Sequence, residues 1–265
     1  MTTAAERFVA KLTCPACGAA GLSAHRGGLG CVQCGAAVPR RHGVPVLAPV
    51  DAASPATGEA ALALAAGRFR RPWGYRLEKA VLEWVNPKQH LPITPHLTGR
   101  EVLDVGCGPE PFGYDAAATS LHAGLDVSLP FLLRAAAANP TSHYVCGWAH
   151  RLPFADRSFD VVLLLQVLHH MPHPHRQVLQ EACRVARERV IVYDHLQSDR
   201  GFKRWAKAGW WRLADRGLQY NTQAQWDAAL TGFTVVERRI TGRYLENIFE
   251  FALAVVPDAA GTTGR

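Results

Sequence analysis

Near its start the chain carries two Cys-x-x-Cys knuckles, and few small folds accommodate them. Cys14 and Cys17 are separated by two residues, thirteen residues follow, and Cys31 and Cys34 repeat the pair. A glycine closes each pair, Gly18 and Gly35, able to take the positive φ of a tight turn. Four thiolates on two such turns match a closed tetrahedral Zn2+ site. A redox Cys-x-x-Cys is the competing reading, but that motif comes singly at a strand-to-helix junction. Residues 12–48 are turn-rich with no helical period, so residues 1–50 read as a small zinc ribbon whose metal supplies much of its folding free energy.

Residues 51–67 are rich in Pro, Ala, Ser and Gly and read as a connector with one Ala-rich helix at 59–66. Residues 68–265 form the main domain. Its first segment, 68–85, sets Trp73, Leu77, Val81 and Trp84 on one helical stripe, ended by Pro87, Pro92 and Pro95. Beyond Thr98, strand-like runs at 101–106, 122–128, 161–167 and 189–195 alternate with helix-compatible stretches near 129–138 and 174–187. That alternation predicts an α/β fold with a doubly wound parallel sheet covered on both faces. Runs at 232–241 and 248–256 have too short a gap for a parallel crossover, so they pair as a C-terminal antiparallel hairpin.

The 265 residues carry 29 basic and 22 acidic side chains, a net charge of +7 that attracts anionic partners without identifying them. Residues 200–216 concentrate six bases with three Trp, a mix that suits RNA or an amphipathic helix with its Trp inward. Apolar runs are too short for a membrane span, and the charged first residues lack a secretory pattern. A cytoplasmic protein is expected.

In a doubly wound sheet the ligand sits outside the carboxyl ends of the strands. Here the first strand runs into Asp104, Gly106, Cys107 and Gly108. A dinucleotide fingerprint needs a further glycine where Pro111 stands, and Glu110 would oppose a pyrophosphate. Asp126 closes the second strand 22 residues after Asp104, placed to accept hydrogen bonds from ribose hydroxyls. Asp104, inside the loop, suits a cationic ammonium. A ribose, an amine and no phosphate describe S-adenosylmethionine.

The segment 101–195 resembles the class I S-adenosylmethionine-dependent methyltransferases, with a type 11-like core. EVLDVGCGP looks like their first motif and GLDVS their ribose-binding second. GWAHRLPFADRSFDVVLLLQVLHHMPHP looks like their third and fourth joined. The resemblance implies a Rossmann-like seven-stranded sheet. It also implies that Asp104, Gly106, Cys107 and Gly108 hold the methionine end, Asp126 and Val127 the ribose, and Gln166 the edge of the sulfonium pocket. Where the family usually has Asp for the adenine amino group the chain has Trp148, leaving that end to Trp148 and the Ala149 backbone.

Methyl transfer needs positioning first, and a base only where the nucleophile loses a proton. His169 and His170 follow the fourth strand, and Asp194 and His195 end the fifth; His170, His195 and Asp194 are the candidates for that chemistry. Cys107, Cys146 and Cys183 read as packed thiols. The ribbon, connector and core also resemble, in order, the ribosomal-RNA guanine-N1 methyltransferases, and residues 41–49 resemble the tail of small zinc-ribbon activator proteins. The leading expectation is a methyltransferase acting on a small or medium-sized acceptor; the alternatives are an RNA base methyltransferase and a non-catalytic cofactor-binding adaptor.

Overall fold

A computed structural model describes residues 2–25, 27–47, 93–110, 114–171, 174–197, 219–241 and 248–255. The connector, the expected helix at 68–85, Pro111 and the basic stretch at 200–216 lie outside the described residues.

The chain opens with a helix, α1 (Ala4–Lys11), that the hydrophobic pattern alone does not single out. Its start is nevertheless encoded locally. Thr3 accepts from the amide of Glu6, and the Glu6 carboxylate accepts from the amide of Thr3 at 2.7 Å, so two otherwise orphaned donors are satisfied. The ribbon follows as four antiparallel strands in order β1 (Leu22–His25), β2 (Gly28–Cys31), β3 (Ala37–Arg41) and β4 (Val44–Pro45).

After a short helix, α2 (Thr94–Leu97), the main sheet begins. Its strands are β5 (Glu101–Val105), β6 (Leu121–Asp126), β7 (His143–Cys146), β8 (Phe159–Leu165), β9 (Ala186–His195), β10 (Thr234–Thr241) and β11 (Ile248–Ala254). The spatial order is β7-β6-β5-β8-β9-β11-β10. From β7 to β9 all pairs are parallel; β11 lies antiparallel between β9 and β10. The seven strands and the terminal hairpin are as expected. Strand β7, four residues long with an apolar run of only Tyr144, Val145 and Cys146, is the one not expected from the sequence.

Both faces are buried, which is why the central strands read as continuous apolar runs. Leu103, Val105, Val162 and Val192 face one cluster with Val178 and Leu179 of α4 (His175–Val185) and Trp226 of α5 (Gln223–Leu230). Val102, Val161, Leu163 and Tyr193 face another with Ile93 and Leu97. Between β6 and β7, α3 (Leu129–Ala138) packs Leu132 and Ala135 against Tyr144 and Cys146.

The ribbon shares the larger core instead of standing apart from it. Phe8, Leu12, Cys14, Leu29 and Cys31 join Leu152 and Phe154 in one cluster. The amide of Thr13 donates to Pro153 at 3.0 Å, that of Ala155 to Lys11 at 2.9 Å, and that of Leu47 to Cys146 at 2.8 Å. Phe8 stacks on His143 with ring centroids 5.2 Å apart. Arg7, Lys11 and Arg187 converge on Glu101 at the opposite, amino end of the sheet.

Candidate cofactor pocket and cysteine centre

The sheet reverses its order around β5, so the carboxyl ends of β5 and β8 form the switch point at which sheets of this kind leave a ligand cleft. Here β5 turns through Gly106 (φ +73°) and Gly108 (φ +59°), both in the left-handed region. Gly106 also has no room for a side chain: a Cβ there would lie 2.1 Å from Cγ2 of Val167. The amides of Gly106 and Cys107 both donate to the carbonyl of Leu125, at 2.7 and 3.1 Å, locking the turn onto β6.

Asp126 sits at the tip of β6, buried. Its Oδ2 accepts from the amide of Gly108 at 3.1 Å and its Oδ1 from the amide of Ser128 at 2.7 Å. Burial pushes its carboxyl up to about 6, against the pull of those amides. Each oxygen keeps acceptor capacity, so this carboxylate is held at a fixed angle with room for two further donors. Asp104, two residues before Gly106, is 2% exposed. Burial pushes it up to about 7, and the hydroxyl of Tyr114 donates to its Oδ2 at 2.7 Å.

Across the cleft, Gln166 takes a left-handed conformation (φ +57°), uncommon for a residue other than glycine. Its amide donates to the carbonyl of Tyr193 at 2.7 Å, while its buried Nε2 has no partner among the described residues. A left-handed backbone beside an orphaned donor is an arrangement that a ligand could satisfy. Trp148 and Ala149 follow β7, where the amide of Gly147 donates to the carbonyl of Asp126 at 3.1 Å and Val127 accepts from the thiol of Cys146. Trp148 is half-buried, its ring 5.9 Å from that of His150. The residues expected at the methionine, ribose and adenine ends therefore lie on adjoining turns of one sheet edge. A nucleoside with a cationic amino-acid tail fits this donor and acceptor set: a pinned carboxylate for a diol, a buried carboxylate for an ammonium.

The next segment is braced from α4. Arg184 donates to Asp156 at 2.7 Å and to the carbonyls of Phe154 and Leu152, and Glu181 accepts from the amide of Leu152 at 2.8 Å. The LPF-x-D run thus has a structural use: it fixes the loop following Trp148.

On the far side, Asp194 is fully buried at the end of β9. Its Oδ1 lies 2.7 Å from Nδ1 of His169 and 2.6 Å from the amide of His195, and its Oδ2 accepts from the amide of His169 at 3.2 Å. Burial alone would raise this carboxyl, but His169, His195 and His175 pull it down to about 2. An ionised Asp194 holds the His169 proton on Nδ1. His170, on the same 3-10 turn, has its ring 4.0 Å from that of His169, and His195 lies 4.5 Å away, edge-on. Of the expected proton-handling residues, Asp194 and His195 end β9, and the rings of His170 and His195 both lie against that of His169. The imidazole that Asp194 grips is His169, with the half-buried His170 beside it. Sequence alone cannot rank two adjacent histidines.

The four ribbon cysteines converge. Their sulfurs all lie within 4.8 Å of one another, with Cys14 to Cys34 and Cys17 to Cys31 both at 3.6 Å. Sulfurs about 2.3 Å from a shared tetrahedral ion sit roughly 3.8 Å apart, so the cluster fits Zn2+. The two knuckles are local copies: the amide of Gly18 donates to Cys14 and that of Gly35 to Cys31, with φ of +75° and +73°. Cys107 and Cys146 pack in the core and Cys183 at its edge, and burial pushes the last two thiols up to about 11.

Residues 103–193 match the family described as "Methyltransferase domain". Malonyl-[acyl-carrier protein] O-methyltransferase of Erwinia billingiae is 41% identical over 64 residues, 24% of this chain and 26% of that one. Phthiotriol/phenolphthiotriol dimycocerosates methyltransferase 1 of Mycobacterium ulcerans is 34% identical over 116 residues, 41% of this chain and 42% of that one. The chain thus spans less than half the length of these relatives. A crystal structure described as a methyltransferase from Bacillus halodurans shares the fold with a TM-score of 0.51 at 18% identity, covering 60% of this chain and 94% of that one. Residues 103–193, which hold the Gly106–Gly108 turn, Asp126 and Gln166, are thus similar to methyltransferase domains.

Proposed function

We propose that the chain is a class I S-adenosylmethionine-dependent methyltransferase acting on a small or medium-sized acceptor through an oxygen or nitrogen nucleophile, with a structural Zn2+ held by Cys14, Cys17, Cys31 and Cys34. The observation that carries it is Asp126, whose two oxygens are each pinned by a backbone amide beside the Gly106–Gly108 turn. When bound, the cofactor supplies an electrophilic methyl group. The protein's part is to hold it: Asp126 and Val127 at the ribose, Asp104, Gly106, Cys107 and Gly108 at the amino-acid end, Gln166 at the edge of the sulfonium, Trp148 and Ala149 at the adenine. Two relatives are named for malonyl-[acyl-carrier protein] and phthiotriol/phenolphthiotriol dimycocerosates, which supports a metabolite over an RNA acceptor.

An acceptor that loses a proton needs a base within reach. Asp194 orients His169, which is buried, and the half-buried His170 and the buried His195 flank it. We assign His170 and His195 to proton acceptance and the Asp194–His169 pair to holding them in register. Among the described residues no helix is long and apolar enough to cross a membrane. Release of S-adenosylhomocysteine on incubation with S-adenosylmethionine and a pool of hydroxyl, carboxyl and amine metabolites tests the reading. Turnover that is insensitive to salt supports it. Turnover on RNA alone, weakening steeply with salt, replaces the acceptor class, and cofactor binding with no turnover on any pool leaves the adaptor.

A further inference from the structure

We propose that Tyr114 and His122 form a fixed chain of donors that favours ionised Asp104 as the acceptor for the cationic ammonium of the cofactor's amino-acid tail. The inference rests on the reading of this cleft as a cofactor pocket, and it adds two positioning residues that neither the motif nor the family resemblance supplies.

Asp104 is the last residue of β5 on its face before the Gly106 turn, flanked in the sheet by Gly124 of β6 and Leu163 of β8. Among the described residues no Lys or Arg pairs with it, and its hydrogen bond is the one from Tyr114 to Oδ2; Oδ1 has none. A buried carboxylate in such surroundings either takes a proton or finds a cation.

Tyr114 decides between these. Its hydroxyl lies 2.7 Å from Asp104 and also 2.8 Å from Nε2 of His122, and it has a single proton to give. Two polarities of the chain are consistent with those distances; a proton on Oδ1 of Asp104 would stand outside the chain, with no acceptor among the described residues. In the first, neutral His122 donates from Nε2 to Tyr114, and Tyr114 donates to ionised Asp104. In the second, Asp104 is protonated and donates to Tyr114, which donates to a bare Nε2; the proton of His122 must then sit on Nδ1. That nitrogen is buried with no hydrogen-bond partner among the described residues. A stranded N–H donor there costs more than a bare lone pair, so the first polarity is preferred. Burial keeps His122 neutral, its ring pushed down to about 4, so the chain carries no cation of its own. Oδ1 of Asp104 remains as an acceptor for an incoming ammonium.

The chain acts on the amino-acid end of the ligand, so its loss is visible as a difference between two ligands. S-adenosylhomocysteine has the ammonium; 5′-methylthioadenosine keeps the nucleoside and thioether and lacks the tail. Calorimetric titration of Tyr114→Phe, with the zinc-loaded protein, should weaken S-adenosylhomocysteine about tenfold and leave 5′-methylthioadenosine unchanged. His122→Leu should show the same split, and His122→Gln, which can still donate to Tyr114, should recover most of the affinity. Equal weakening of both ligands, or weakening of neither, overturns the proposal. A wild-type protein that binds neither ligand overturns the cofactor-pocket reading itself, a result distinct from an unaltered variant.

Discussion

The amide of Gly108 lies 3.1 Å from Oδ2 of Asp126, and this bond makes the turn after β5 and the tip of β6 a single corner. The glycine turn is usually regarded as space cleared for a ligand. Here it also aims the carboxylate that would grip the ribose, so loop shape and binding affinity are coupled.

Gly106 is held from above by Val167. Gly106→Ala should destabilise the fold by about 3 kcal/mol, from the collision with Cγ2 of Val167 and the left-handed backbone together. Val167→Ala in the same chain should recover part of that loss, leaving about 1 kcal/mol of backbone strain. Chemical denaturation of both singles and the double variant measures the coupling; strictly additive effects would show that the two residues do not meet.

Cofactor affinity should rise with pH. Burial raises Asp104 to about 7 and Asp126 to about 6, so both are protonated at mildly acidic pH in the empty protein, and binding needs both ionised. Raised carboxyls also favour folding at low pH, a contribution lost as pH climbs from about 4 through 7. His122, pushed down to about 4, works in the opposite sense over the same range: its burial as a neutral ring costs stability below its unfolded value and ceases to do so above it. The two carboxyl shifts together exceed that of His122, so stability of the empty protein should fall over that range, while affinity for S-adenosylmethionine climbs about a hundredfold between roughly pH 5.5 and 7.5. Titrations across that range check it, and a pH-independent affinity contradicts it.

The ribbon and the sheet should unfold together. Cys14 and Cys31 share a core with Leu152 and Phe154, and Thr13 and Leu47 hydrogen-bond to the segment around Trp148. Cys31→Ser, which removes a ligand of the proposed metal, should lower a single thermal transition by about 5 °C or more and abolish stoichiometric zinc. Two separate transitions, the upper one unmoved, would mean that the ribbon is an independent unit.

His169 meets Asp194 twice, through its ring Nδ1 and through its amide. His169→Leu leaves that carboxylate buried beside one fewer donor and should cost about 3–5 kcal/mol, whereas His169→Asn, which still donates, should restore much of it. Asp194, held at about 2, contributes its share above the ordinary carboxyl range and loses it as pH falls toward 2. Denaturation of the two variants at neutral pH checks the pairing; equal stabilities would refute it.

Much of this was legible in the sequence because it depends on local spacing. The two knuckles, the glycine turn, the carboxylate 22 residues on and the terminal hairpin are all short-range patterns that survive as geometry. Strand β7 was not, since four residues starting with His143 carry no period and are strands only because Ala123–Asp126 pairs with them. Helix α1 carried a readable signal in Thr3 and Glu6, which a search for apolar periodicity passes over. Tyr114 and His122 gave none: parallel register and the turn after β5 bring them to Asp104, and neither is fixed by sequence distance. The same holds for the bridge of Leu12 to Phe154, which joins the ribbon to the loop beside Trp148.

The central claim is that a pinned carboxylate on β6 binds the ribose of S-adenosylmethionine. Isothermal titration of the zinc-loaded protein with that compound, beside Asp126→Ala, addresses it directly. The account predicts one site per chain in the wild type and an affinity at least about 100-fold weaker in the variant, the loss of two hydrogen bonds to a charged group. No heat in the wild type, or equal affinity in the variant, would contradict it.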